Sequence, residues 1–303
     1  MKKHLSTLGL MTLAVTLSTL FIYAVKNNDN NNQDPQKSTS ALYEIQAIKM
    51  PSHLEFAGER APLEDPEVFE RIDRELHVNT YWQSNTLLYF KRANKVFPII
   101  EPILSREGVP NDFKYLAVIE SALMDVTSPA GAKGVWQIMP RTARELGLEV
   151  NDNIDERYHL EKATVAACQY LKEAKAELGS WTLAAAAYNA GNNGVSRRME
   201  QQIADNYYDI LLIEETARYV PRILAVKEIM THPEKYGFQF TPGDLYSLPA
   251  YYEIEVDTTI TDLAKFAKSY NMSYKDLKYL NPWMREGELQ DKSGKKYQIK
   301  IMY

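Results

Sequence analysis

The 303-residue sequence contains a single cysteine, Cys168, and that scarcity removes several possibilities at once. No intrachain disulfide framework can form. A lipid-modified cysteine just after an N-terminal signal is excluded too, because Cys168 lies far downstream, among the alanines of a helical pattern, where it reads as a small buried hydrophobe. The five histidines are scattered and never show His-x-x-x-His spacing, so no zinc site is expected. No G-x-S-x-G elbow is present, which leaves a Ser-His-Asp hydrolase unsupported. Positive charge is also short: 35 basic against 40 acidic residues give a net charge of -5, with no electrostatic footprint for nucleic acid or an anionic membrane surface. No array of repeats appears, so a solenoid is not supported. Carboxylate chemistry remains, with no metal and no cofactor expected.

The chain does have one long uncharged apolar run. In "MKKHLSTLGLMTLAVTLSTLFIYAV", Lys2 and Lys3 precede a stretch from Leu5 to Val25 that as a helix would span about 30 Å of bilayer core. Residues 1–25 are therefore expected to be a signal peptide or membrane anchor. The run exceeds a usual cleaved h-region and no A-x-A site follows it, which favours an uncleaved anchor with its basic end in the cytoplasm. The body of the protein is then expected in the cell envelope, on the periplasmic side. Residues 26–58 begin with the Asn-rich "KNNDNNNQDPQKSTS" and read as a polar tether.

From about Pro66 the pattern turns helical. "PEVFERIDREL" and "NTLLYFKRANKVFPIIEPILSREG" space apolar residues three and four apart and the second ends in Gly; Pro98 is expected to break or kink it. A helix is predicted over 112–123, capped by Asn111 or Asp112. Another covers Ala163 to Leu178, "WTLAAAAYNAG" begins a further one that stops at Gly191, and a last long helix is predicted from Glu214 to Met230. Residues 59–232 thus form a mainly α domain, followed by a linker over 233–249. Residues 250–303 change character: Tyr252, Ile254 and Val256 alternate, a helical middle follows, and Tyr297, Ile299 and Ile301 alternate again, which predicts a small βααβ module.

Glu120 ends an apolar helical stretch, after Ala117, Val118 and Ile119. Such neighbours dehydrate a carboxyl and raise its pKa, as a general acid working near neutral pH requires. Most glutamates at helix ends are simply solvated, so the surrounding residues must decide. "IESAL" (119–123), "SPAGAKGVWQIMPRTA" (128–143), "AAAAYNAG" (184–191) and "EETARYVPRILA" (214–225) occur in that order and spacing. Through these stretches the chain resembles the membrane-bound lytic murein transglycosylases of the D type, within the lysozyme-like superfamily, over nearly all of its length after the tether.

The resemblance implies a lysozyme-like helical catalytic domain in which Glu120 is the catalytic acid and base and Ser121 positions it or the substrate. Gly134, Trp136, Gln137 and Met139 match positions lining a sugar cleft, Tyr188 and Asn189 match the tyrosine and asparagine facing the catalytic Glu, and Tyr219 matches a further cleft tyrosine. Each also has a plain packing role open to it. "MDVTSPAGA" departs from the commoner pattern, in which a Pro-x-Ala piece follows the "ESAL" equivalent. Residues 250–303 resemble a LysM domain, carried by "TITDLAKFAKSYNMSYKDLKYLNP", with Val256, Asp257, Thr258 and Thr259 where a Gly-Asp-Thr is usual. The implied partner is the glycan strand of peptidoglycan, with the membrane engaged through the N-terminal segment and no nucleic acid; oligomeric state is left open. The implied reaction cleaves the MurNAc-β-1,4-GlcNAc bond and leaves 1,6-anhydro-MurNAc ends. Two alternatives stand beside it: a hydrolytic muramidase using a second carboxylate from among Asp125, Asp152, Asp155 and Glu156, and a non-catalytic peptidoglycan-binding scaffold.

Overall fold

The computed structural model describes residues 45–290 and 294–303. The expected apolar N-terminal run and the first part of the tether lie outside the described residues. Among those described, no helix is long and apolar enough to cross a membrane.

A two-residue hairpin, β1 (Glu55–Phe56) and β2 (Glu59–Arg60), precedes the helices. Its turn holds Ala57 and Gly58 at φ of 55° and 80°, the left-handed pair a tight hairpin needs. Helix α1 (Pro66–Tyr81) starts where Asp65 accepts the N–H groups of Glu67 and Val68 and Pro66 presets the first turn. Its face carrying Val68, Ile72 and Leu76 is buried; full burial of such side chains is worth about 1.5–3 kcal/mol each.

Helix α2 (Gln83–Glu107) runs through both Pro98 and Pro102, so of the break or kink expected at Pro98 the break does not occur. The two prolines stand one turn apart. Buried Val96, Ile100, Ile103 and Leu104 pack on both sides of them, and that burial offsets the missing hydrogen bonds. Gly108, at φ 70°, ends the helix as expected.

Helix α3 (Phe113–Ser121) is shorter than predicted and is not capped by a side chain. Asp112 has a helical backbone, and its carboxylate instead accepts the Ala57 N–H at 2.7 Å and the Lys227 ammonium at 2.6 Å. A residue expected to cap a helix therefore ties the hairpin to a distant helix. The chain leaves α3 through Ala122 and Leu123, both left-handed at φ 53° and 60°.

After α4 (Pro140–Glu145) come α5 (Leu160–Leu178) and α6 (Trp181–Ala190). Ala163, Ala166, Ala167 and Ala174 on one, and Ala184 to Ala187 on the other, are buried, and their small size lets the helices pack closely. Ser180 caps α6, and the Glu59 carboxylate accepts the Trp181 and Thr182 N–H groups at 2.6 and 2.9 Å. Helix α7 (Asn192–Gln202) follows Gly191 directly.

The single helix predicted over 214–230 is two: α8 (Glu214–Ala217) and α9 (Tyr219–Thr231), parted at Arg218. Pro221 has no N–H for the Ala217 carbonyl. That carbonyl accepts the Tyr207 hydroxyl at 2.8 Å and an Arg71 N–H at 3.4 Å instead. Residues 233–249 run on as turns, with buried Phe238, and Phe240 beside it, packing on Phe90 of α2 at ring separations of 5.5 and 4.8 Å.

The C-terminal module has the predicted order. Strand β3 (Tyr251–Val256) pairs antiparallel with β4 (Tyr297–Met302), with Tyr251 opposite Met302 and Val256 opposite Tyr297. Between them lie α10 (Leu263–Ser269), capped by Asp262, and α11 (Tyr274–Leu280), capped by Ser273. Buried Asn281 staples α11 to β4: its amide donates to the Lys300 carbonyl and its oxygen accepts the Lys300 N–H, both at 2.8 Å. The module's core includes Ile154 and Tyr158 from the helical body. Asp155 N–H donates to the Trp283 carbonyl at 2.9 Å and Arg285 N–H to the Asn153 carbonyl at 2.8 Å, so the loop after α11 is bonded to that body.

Candidate active site

Glu120 occupies the last turn of α3, just before the left-handed pair that turns the chain away. The Tyr219 hydroxyl donates to its carboxylate. Tyr219 is the first residue of α9, so the break at Arg218 sets where that hydroxyl stands. Burial dominates the electrostatics of Glu120 and lifts its carboxyl to about 7; nearby Glu215 adds to the rise, while the Tyr219 hydrogen bond and the Arg222 charge oppose it. Burial and the Glu120 charge push the phenols of Tyr188 and Tyr219 well above their ordinary range, so both act as neutral donors.

Beside this group lies a cleft of about 310 Å³ walled by Gln137, Met139, Tyr170, Tyr188, Asn189 and Gly191, among others. Tyr188 joins the two regions. Its ring lines the cleft, packs edge-on against Tyr170 and is fixed by donation of its hydroxyl to the Trp136 carbonyl at 2.7 Å. The Gln137 amide nitrogen donates to the carbonyls of Gly134 and Val126 at 2.7 and 3.1 Å, which leaves its oxygen as the free end. Asn189 accepts the Thr216 hydroxyl at 2.8 Å and donates toward Glu215 at 3.4 Å. Met139 is 41% exposed at the rim.

Four of the residues expected at the site, Gln137, Met139, Tyr188 and Asn189, thus meet around one cleft, and Glu120 and Tyr219 meet in one hydrogen bond. The other three lie in the frame that holds them. Buried Ser121 donates its hydroxyl to the Val135 carbonyl at 2.7 Å, pinning the loop that follows α3. The indole N–H of fully buried Trp136 donates to the Thr164 hydroxyl at 2.8 Å. Gly134, at φ 77°, lies so close to the Arg157 carbonyl that a Cβ there would sit 2.0 Å from its oxygen. Arg157 in turn donates to the Gly131 and Ile138 carbonyls at 2.9 and 3.2 Å.

The carboxylates weighed for a second role separate clearly. Asp155 pairs with Arg157 at 2.7 Å and with Lys133 at 3.3 Å, and these cations hold its carboxyl below the ordinary range despite burial. Glu156 is bound to Lys162 and to the Glu149 N–H, the latter at 2.7 Å. Asp152 is exposed. Asp125 and Asp152 carry no hydrogen bond among the described residues, and desolvation lifts Asp125 to about 6 against the pull of Lys95 and Arg285. The cleft wall contains no carboxylate.

Sequence reasoning missed the support behind Tyr219. Glu75 of α1 is 1% exposed and accepts from Arg218 at 2.6 and 2.7 Å and from Arg74 at 2.7 Å, with Arg222 at 3.7 Å. Arg218 and Arg222 both fall within "EETARYVPRILA", but their partner is 143 positions from Arg218 and no local pattern points to it. Among the described residues no group of His, Cys, Asp and Glu could hold a metal ion.

Comparison with known proteins places two family models on the chain: a transglycosylase SLT domain over residues 97–211 and a soluble lytic transglycosylase C-terminal LysM-like domain over residues 252–302. Two curated relatives, each called membrane-bound lytic murein transglycosylase D, from Escherichia coli K12 and from Escherichia coli O6:H1, are 26% identical over 94% of the chain. The chain spans 66% of the length of these relatives. The X-ray structure of an inactive mutant of lytic transglycosylase Slt from Pseudomonas aeruginosa is similar at 21% identity over 46% of this chain and 24% of that one, with a TM-score of 0.35.

Proposed function

We propose, from the premise that this chain belongs to the transglycosylase SLT family and carries its C-terminal LysM-like domain, that it cleaves peptidoglycan glycan strands by internal attack, with Glu120 as acid and then base. One observation carries the reading: the Glu120 carboxyl is raised to about 7 and accepts from the Tyr219 hydroxyl, beside a cleft lined by no carboxylate among the described residues. Most glycosidases that use water or an enzyme nucleophile rely on two carboxyls. A substrate that supplies its own nucleophile needs one.

In this mechanism the Glu120 carboxyl donates its proton to the glycosidic oxygen as the bond from the MurNAc C1 to that oxygen breaks. The neighbouring N-acetyl carbonyl stabilises the developing positive charge at C1. The Glu120 carboxylate then takes the proton of the sugar's C6 hydroxyl as that oxygen bonds to C1, closing a 1,6-anhydro ring and restoring the protonated acid. No water is consumed. Positioned proton transfer contributes typically about 10²- to 10⁴-fold, and intramolecular attack adds a high effective molarity. The Gln137 oxygen and the Asn189 amide are the polar groups available to orient the sugar, with Tyr188 as the wall between the cleft and Glu120. Work on murein, and the relatives' description as membrane-bound, support a place in the cell envelope held by the N-terminal segment.

Mass spectrometry of the soluble products released from purified sacculi tests the reading, with Glu120→Gln as control. Muropeptides one water lighter than hydrolysis gives, absent with the variant, are the expected result. Hydrated products would identify a muramidase and turn attention to Asp125, while retained sacculus binding without products would identify a scaffold.

A further inference from the structure

A second cavity, of about 340 Å³, lies at the seam between the helical body and the C-terminal module. The body contributes Arg92 and Lys95 of α2 and the Leu123–Asp125 segment that follows α3; the module contributes Lys278 and Tyr279 of α11, and Trp283. The seam is closed by main-chain hydrogen bonds and a shared core, so this is a fixed feature of the fold.

The lining charges are unusual for an acidic chain. Glu161 is committed to Lys300, its ion-pair partner, and lies beside His159 at 3.2 Å. Lys278 donates to the Met284 and Glu286 carbonyls and has no carboxylate partner among the described residues. Among the described residues Arg92 donates only to the Ala122 carbonyl, at 3.3 Å, and Lys95, 5.7 Å from the Tyr279 ring centroid, has no ion pair. Asp125, an exposed lining residue, has no hydrogen bond among the described residues. The cavity therefore offers cations with no carboxylate at ion-pair distance among the described residues, Lys95 foremost, together with one acceptor, Asp125, that feels the charges of Lys95 and Arg285, flanked by aromatic rings. An uncharged sugar uses neither sign of charge. A short peptide carrying carboxylates and N–H groups uses both.

Resting on the proposed action on peptidoglycan, we propose that this seam binds the carboxylate-bearing peptide branch of the substrate, with Lys95 as the principal cation and Asp125 accepting from the peptide's N–H groups. The connection to the cleavage site is short: Asp125 follows Glu120 by five positions, a chain reach of at most about 17 Å. In this proposal a glycan held at Glu120 extends its peptide branch into the seam. The C-terminal module then acts as one wall of the substrate site.

The test is calorimetric titration of the full chain carrying Glu120→Gln, which prevents turnover, with two probes: a GlcNAc-MurNAc disaccharide bearing a tripeptide, and the same disaccharide without peptide and with its lactyl carboxyl capped as an uncharged amide. Adding Lys95→Glu is expected to weaken the peptide-bearing probe at least 5-fold and leave the peptide-free probe unchanged, with Lys95→Arg restoring affinity. Equal weakening of both probes, or of neither, overturns the proposal. The product analysis is separate: an inert wild-type chain that still shows the Lys95 preference would remove the catalytic reading and leave the peptide site standing.

Discussion

Glu120 and Asp125 lie five residues apart, and both are carboxyls raised by dehydration, to about 7 and about 6. They differ in what holds them. Glu120 sits at a helix end under the Tyr219 hydroxyl, with Tyr219 fixed at the start of α9 and Arg218 before it anchored on buried Glu75. Asp125 stands on a loop, without a hydrogen bond among the described residues, under the charges of Lys95 and Arg285. Neighbouring atoms that displace water from the carboxyl thus raise the pKa in both places, although Asp125 as a residue stays exposed; only at Glu120 is the rise joined to a fixed orientation. A perturbed carboxyl becomes a catalytic candidate through the groups that aim it.

The sharpest way to break this comparison is to neutralise each carboxyl. Glu120→Gln is expected to lower the rate of sacculus solubilisation by about 10³-fold or more, from loss of proton transfer. The same change should stabilise the fold at alkaline pH. A carboxyl whose folded pKa is raised binds more protons folded than unfolded between about 4.5 and about 7. Its cost to stability therefore grows as pH rises through that window and is full above it. Thermal melts at pH 5 and pH 8 should show the variant gaining on the wild type by on the order of 1–2 kcal/mol at the higher pH, after allowance for solvent screening.

Removing the aiming groups comes next. Tyr219→Phe should cost about 10- to 100-fold in kcat. Because the lost hydrogen bond favours the ionised carboxylate, the alkaline limb of the pH profile should move upward. Glu75→Gln should act in the opposite direction: Arg222, released from its carboxylate, weighs more on Glu120 and lowers its pKa, so the profile moves to lower pH with about a 3- to 10-fold loss at pH 7. Arg218 and Arg222 are partly exposed, so the stability cost is about 1–3 kcal/mol, read from a denaturant midpoint. A profile that moves the same way in both variants would dissolve the distinction between the two supports.

Asp125→Asn should have the smallest effect, within about 3-fold on peptide-free glycan, with anhydro products unchanged. A loss matching that of Glu120→Gln would make Asp125 the second carboxylate of a hydrolase.

Much of this site could be read locally. Glu120, Gln137, Tyr188, Asn189 and Tyr219 fall within short stretches whose order is itself informative, and the βααβ module follows from alternation around a helical middle. What was hidden depends on partners far along the chain. The uninterrupted course of α2 through two prolines is secured by packing on both sides. The break at Arg218 requires Tyr207 to take over the Ala217 carbonyl. Asp112 reads as a cap until the hairpin and Lys227 are placed beside it. The seam cavity combines α2, the loop after α3 and the module, which no single window of sequence contains.

The central claim is that Glu120 is a protonated acid near neutral pH because burial outweighs the hydrogen bond from Tyr219. Titration of the carboxyl by ¹³C NMR on glutamate-labelled protein, with the resonance assigned by its absence in Glu120→Gln, tests this most directly. A midpoint near 7 is the expected result. A midpoint near the ordinary 4.5 would leave Glu120 ionised at working pH and contradict its proposed role as the acid that starts cleavage.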